Sequence, residues 1–165
     1  MRVLGIDPGS LVTGYGVVEG GSGDPRHIAD GVVKAGSSRT LARRLPLLFD
    51  GLQEVVERYQ PDSVAIESIF FAKNIKSASI LGHARGVALL AAARADLDIF
   101  EYSPMEIKKS VVGYGAATKE QIRKMVKALL GTEHLPVSDA ADALAVALCH
   151  LQHGGFHHKL SRSRS

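Results

Sequence analysis

Four acidic side chains stand at positions where an acid needs an explanation. Asp7 closes the apolar run "RVLGID" and is followed by Pro8, Gly9 and Ser10. Taken alone it reads as loop punctuation, because Asp and Pro-Gly are ordinary turn residues. Glu67 closes a second apolar run, "DSVAIES", in the same way. Asp139 and Asp142 in "SDAADALAVALCH" lie three apart, so on a helix they project from one face. A place in the first helical turn, where a carboxylate offsets the dipole, accounts for Asp139. It does not account for Asp142, which interrupts a run of Ala, Leu and Val that otherwise reads as buried, where an unpaired charge is expensive. Brought together, four carboxylates repel one another unless cations intervene. An all-oxygen donor set suits Mg²⁺ or Mn²⁺ rather than zinc, and two ions about 3.5–4 Å apart suit in-line hydrolysis of a phosphodiester by an activated water.

Such convergence requires particular elements. "RVLGID" and "TGYGVVEG" read as two strands joined by a short turn, and "HIADGVVKAG" as a third strand that contains or ends in a glycine turn. From Leu41 to Tyr59 the apolar residues follow the i, i+3, i+4 rhythm of a helix, which Pro46 either starts or kinks. "DSVAIES" is then a strand, "SASILGHARGVALLAAARA" a long buried helix, and "LDIFEY" a further strand. Gly82 and Gly86, four apart, give that helix one small face, for packing within the chain or for self-association. "SPMEIKKSVVG" opens as a short helix does, and Thr118 and Gln121 have capping-box spacing ahead of a stripe closed by Gly131. The last helix begins between Pro136 and Asp139 and ends at Gly154 and Gly155. Early strands followed by alternating strands and helices predict one α/β domain, a mixed sheet covered by helices.

At 165 residues the chain suits a single domain. Its one cysteine, Cys149, excludes an intramolecular disulfide, and no apolar run approaches the ~20 residues of a membrane span, so a cytoplasmic protein with no membrane contact is expected. The net charge is only +3, but six basic residues between Lys108 and Lys127 face Glu120 alone. A solvated helix face usually mixes both signs, so this run points to a polyanion. Cys149, His150, His153, His157 and His158 fit no standard zinc spacing, and cations near a helix C-terminus are the simpler reading.

The segments "GIDPGSLVTGYG", "AIESIFFAKN", "LGHARGVALL", "VVGYGAATKEQ" and "SDAADALAVA", in that order, resemble the RuvC family of bacterial Holliday-junction resolvases from residue 2 to about residue 152. The resemblance implies a ribonuclease H-like fold with a five-stranded mixed sheet in a nuclease domain over residues 1–153; the remaining residues, 154–165, lie outside it and read from their own composition as a basic, flexible tail. It implies a homodimeric endonuclease that resolves four-way junction DNA by symmetric, Mg²⁺-dependent nicking in recombination and repair, beside a branch-migration complex of RuvA and RuvB. Two Mg²⁺ per site are expected, with Mn²⁺ able to substitute. Position by position, Asp7, Glu67, Asp139 and Asp142 match the family's catalytic, metal-binding acids. Phe70 matches an aromatic that stacks on an unpaired base, and Lys108 and Lys119 match basic residues that contact DNA phosphates.

Two other classes compete. "DPGSLVTGYG" also looks like the first phosphate loop of sugar kinases, but no second phosphate loop or second lobe is evident and no Walker motif is present. A module that only grips branched DNA would use the basic run but gains nothing from clustered acids.

Overall fold

The computed structural model describes residues 1–21, 23–37, 39–68, 74–134 and 136–162, with side chains as far as Gly154. Strands β1 (Arg2–Asp7), β2 (Val12–Glu19) and β3 (Arg26–Lys34) form an antiparallel meander. After helix α1 (Leu41–Tyr59), β4 (Ser63–Glu67) returns parallel to β1, and after α2 (Ile75–Arg94), β5 (Asp98–Tyr102) pairs parallel to β4. Three helices complete the chain: α3 (Pro104–Val112), α4 (Lys119–Leu130) and α5 (Ser138–Arg162). The sheet order is β3-β2-β1-β4-β5, the five-stranded mixed sheet expected of a ribonuclease H-like fold.

Strand periodicity sorts the core into two layers. Leu4, Ile6, Val17, Val64 and Ile66 point to one face, under α1 and α2, where they meet Leu52, Val55, Ala88 and Ala92. Val3, Val18, Ala65 and Tyr102 point to the other, under α3, α4 and α5. On that second face α5 lies between the sheet and the α3–α4 pair, so every residue from Ala140 to His150 except Asp142 is buried. A helix apolar on all sides is one that is covered on all sides.

Glycine lets α5 sit this close. A Cβ on Gly5 would fall 2.0 Å from the Ala143 carbonyl oxygen, one on Gly14 2.0 Å from that of Asp139, and one on Gly16 2.6 Å from the Leu144 side chain. Backbone meets backbone there, and the three positions share one face of β1 and β2 through the pairings Gly5↔Gly16 and Asp7↔Gly14.

The start signals hold: Ser103 and Thr118 head α3 and α4 in reciprocal capping boxes with Glu106 and Gln121, and Gly131 closes α4 in the left-handed region at φ 60°. Two open alternatives are narrowed, at Pro46 and at the glycine turn after β3, and two expectations, for α2 and α5, are corrected. Pro46 does not start α1 but lies inside it. β3 runs through Gly31, and the glycine turn, with Gly36 in the left-handed region at φ 80°, ends the strand rather than lying within it. α2 is not a buried helix: only Ala84, Ala88, Ala91 and Ala92 are covered, while Ile75 is 88% and Leu90 53% exposed. α5 passes through Gly154 and Gly155 to Arg162, since glycine within a helix costs only ~1 kcal/mol.

Candidate active site

The pairing of β1 with β4 aligns Ile6 with Ile66, so the next residues along, Asp7 and Glu67, end neighbouring parallel strands. Each shares the α5-facing side of its strand with Val3 or Ala65, which the core places there. Asp7 also pairs with Gly14, the residue on which the Asp139 backbone rests. One glycine therefore sets the first turn of α5 over the end of β1, and Asp142, three residues on, follows on the same face.

The electrostatics record the meeting. Burial pushes the Asp7 carboxyl up to about 7, and the charges of Glu67, Asp142 and Asp139 add to the rise while Lys119 opposes it. Glu67 is also raised, first by burial and then by Asp142; Lys119, a hydrogen bond from Asp7 and the charge of Lys108 pull the other way. Lys119 Nζ donates to Asp142 Oδ2 at 3.0 Å, and this hydrogen bond raises its own value, with Asp7 and Asp139 contributing. The structure thus brings Asp7, Glu67, Asp139, Asp142 and Lys119 into one electrostatic unit, with Lys108 near enough to act on Glu67. Phe70 lies outside the described residues.

The basic run divides in two. Arg123 donates from Nε and Nη2 to the Pro136 carbonyl at 3.2 and 3.0 Å, and Lys127 Nζ to the Glu133 carbonyl at 2.7 Å. These two cations hold the α4–α5 connection in shape. Lys109, Lys119 and Lys124 are exposed, and Lys108 is half-buried near the acids.

Sequence reasoning missed two supports. The first is the seat formed by Gly5, Gly14 and Gly16; the glycine spacing of "TGYG" was its trace, but the element it receives lies far along the chain. The second corrects the reading of the C-terminal histidines as helix-end cations. His150 is 3% exposed on the sheet-facing side of α5 and burial lowers its pKa. With its proton on Nε2, the ring accepts from the Tyr102 hydroxyl at Nδ1 (2.8 Å) and donates to Ser63 Oγ (3.3 Å), while Phe100 lies 4.3 Å away between ring centroids. This neutral bridge ties α5 to β4 and β5.

Residues 3–150 match the family described as crossover junction endodeoxyribonuclease RuvC. The RuvC of Geobacter sulfurreducens is 49% identical over 150 residues, 91% of this chain and 92% of the relative. That of Hahella chejuensis is 52% identical over 151 residues, 92% of this chain and 87% of the relative. Among solved structures, Thermus thermophilus RuvC in complex with a Holliday junction substrate superposes with a TM-score of 0.89 at 36% identity, covering 95% of this chain and 96% of that one. A yeast mitochondrial Holliday junction resolvase shares the fold at 12% identity and a TM-score of 0.66. Identity near one half across about nine-tenths of the chain, with the acids meeting where the strand register puts them, makes this chain a member of the RuvC family of crossover junction endodeoxyribonucleases.

Proposed function

We propose that the chain is a Mg²⁺-dependent endonuclease that resolves Holliday junctions, with Asp7, Glu67, Asp139 and Asp142 as metal ligands and catalytic acids. The observation that carries this reading is the meeting of four carboxylates, from β1, β4 and α5, on one side of the sheet in a member of this family. Oxygen is the donor type that Mg²⁺ or Mn²⁺ prefers, and the mutual repulsion that adds to burial in raising Asp7 and Glu67 is what cations relieve. When bound, the ions supply Lewis acidity to the attacking water and the leaving oxygen. The chain's own part is to hold the four carboxylates on rigid strand and helix ends, so that little reorganisation is needed on binding. Lys119 and Lys108 would meet scissile phosphates beside the acids, and Phe70 would stack on an unpaired base. Acting in the cytoplasm beside the branch-migration complex of RuvA and RuvB follows from the family reading.

We further propose a homodimer that cuts two opposed strands, because a twofold protein on a nearly twofold junction presents equivalent sites symmetrically. The exposed face of α2 supports it. Among the described residues nothing lies within 4 Å of where a Cβ on Gly82 or Gly86 would stand, so none of them packs against this face. With Ser79, His83, Val87 and Leu90 the two glycines line a shallow apolar groove.

Cleavage of a labelled four-way junction, beside linear duplex of matching sequence, tests the reading with Mg²⁺ and with chelator. Paired, ligatable nicks in the junction alone are expected, abolished in Asp7→Asn while junction binding persists. Binding without nicks in either metal would reduce the chain to a junction-binding module; loss of binding and folding together in Asp7→Asn would make the acid structural.

A further inference from the structure

His27, Asp30 and His134 lie away from the carboxylate site, at the outer strand of the sheet. Asp30 Oδ1 meets His27 Nε2 at 2.7 Å and His134 Nε2 at 3.0 Å, and all three candidate ligand atoms lie within 4.8 Å of one another. The two imidazoles meet edge to face at 5.6 Å.

Strand geometry alone would forbid the first pair. Residues three apart on a regular strand point to opposite faces. The β2–β3 ladder, however, pairs Val17 with Ala29 and Val18 with His27, leaving Ile28 as an extra residue on β3. That bulge turns His27 onto the side of Asp30, the kind of re-aiming for which bulges are used. His27 and Asp30 are then 19% and 11% exposed, a nearly buried pair, whereas His134 closes over them at 58%.

The third ligand is also held in place. The His134 carbonyl accepts from Thr132 Oγ1 at 3.0 Å, and the neighbouring Glu133 and Pro136 carbonyls are the ones gripped by Lys127 and Arg123. Imidazole nitrogen and one carboxylate favour zinc and its neighbours over Mg²⁺. Bond lengths of about 2.0–2.2 Å in a tetrahedral site put ligand atoms roughly 3.3 Å apart, a few tenths of an ångström beyond the 2.7 and 3.0 Å that separate Asp30 Oδ1 from the two imidazole nitrogens.

We propose that His27, Asp30 and His134 form a site for a divalent transition ion of the Zn²⁺ class, with solvent in the fourth position, which fastens the segment entering α5 to β3. It adds to the nuclease reading and does not depend on it.

The test uses the full chain in millimolar Mg²⁺, so that the carboxylates are occupied, and measures Zn²⁺ binding by competition with a chromophoric chelator together with the thermal shift on adding Zn²⁺. One tight Zn²⁺ per chain is expected. His134→Gln, at an exposed position, should leave the fold intact in chelator, weaken that binding by at least the 10–100-fold that even outer partners of a metal site cost, and abolish the thermal shift; Asp30→Asn should do the same. In His157→Gln/His158→Gln the tight site should persist. Zn²⁺ affinity unchanged in His134→Gln, displacement of Zn²⁺ by Mg²⁺, or loss of the site with the His157 and His158 substitutions would each overturn the assignment and leave the cluster an ion-paired strap.

Discussion

At pH 7 the Asp7 carboxyl stands near its own midpoint, because burial and neighbouring acids lift it from 3.8 to about 7. An acid raised in this way binds a proton on folding, so without metal it costs nothing below pH 3.8, costs progressively more as pH rises, and costs the full amount above about 7. Asp7→Asn removes the charge and keeps the shape. In chelator at pH 8 it should therefore be more stable than the parent by roughly 2–4 kcal/mol in urea denaturation. The gap should close at acid pH, where the parent is protonated, and in saturating Mg²⁺, which stabilises only the parent. Equal stability at pH 8 would mean that Asp7 is solvated and unstrained. Lys119 makes the opposite kind of contribution. Its side chain is 73% exposed, so its ion pair with Asp142 is worth less than ~1 kcal/mol to the fold. Lys119→Ala should accordingly tighten Mg²⁺ binding, having lost a competing cation, while junction cleavage slows; an unchanged cleavage rate would remove Lys119 from the site.

Among the elements, α5 depends most on its support. Gly14→Ala puts a methyl group against the Asp139 carbonyl, and because that neighbour is backbone it cannot swing aside. A loss of ~3 kcal/mol or more is expected, at the upper end for overpacking, together with reduced cleavage even where the variant is folded, since both α5 acids move with their helix. Normal cleavage in a folded Gly14→Ala protein would show that the helix need not rest there. This seat marks where sequence reading reached its limit. The acids were legible because a charge at the end of an apolar run, or within one, conflicts with its neighbours, as Asp142 does. The capped helices were legible because Thr118 and Gln121 act locally. What Gly5 and Gly14 receive was not legible, because the contact joins the first strands to a helix more than a hundred residues later. His150 was misread for a related reason: its type suggests a cation, and only the fold shows Tyr102 and Ser63 on either side of it. The ligand cluster on β3 was hidden by one extra residue at Ile28, which no period-two pattern reveals.

For the whole molecule, α2 was misjudged because its composition is predominantly apolar while only one side finds a partner among the described residues. Leu90→Glu places a charge on the uncovered side without touching the core. By light scattering it should be monomeric at concentrations where the parent is a dimer, with unchanged monomer stability, and on a junction it should yield single rather than paired nicks. A dimer that survives this change would place the interface elsewhere. Within one subunit, the order in which the chain is made has a consequence of its own. Half of the acids arrive on α5, after every strand has been laid down. A growing or truncated chain that ends before Asp139 has two carboxylates, a bare glycine-lined sheet face and no complete cutting centre. On the proposed assignment of the acids, such a fragment cannot cut DNA, and nuclease activity is withheld until α5 has been made and has docked on the sheet.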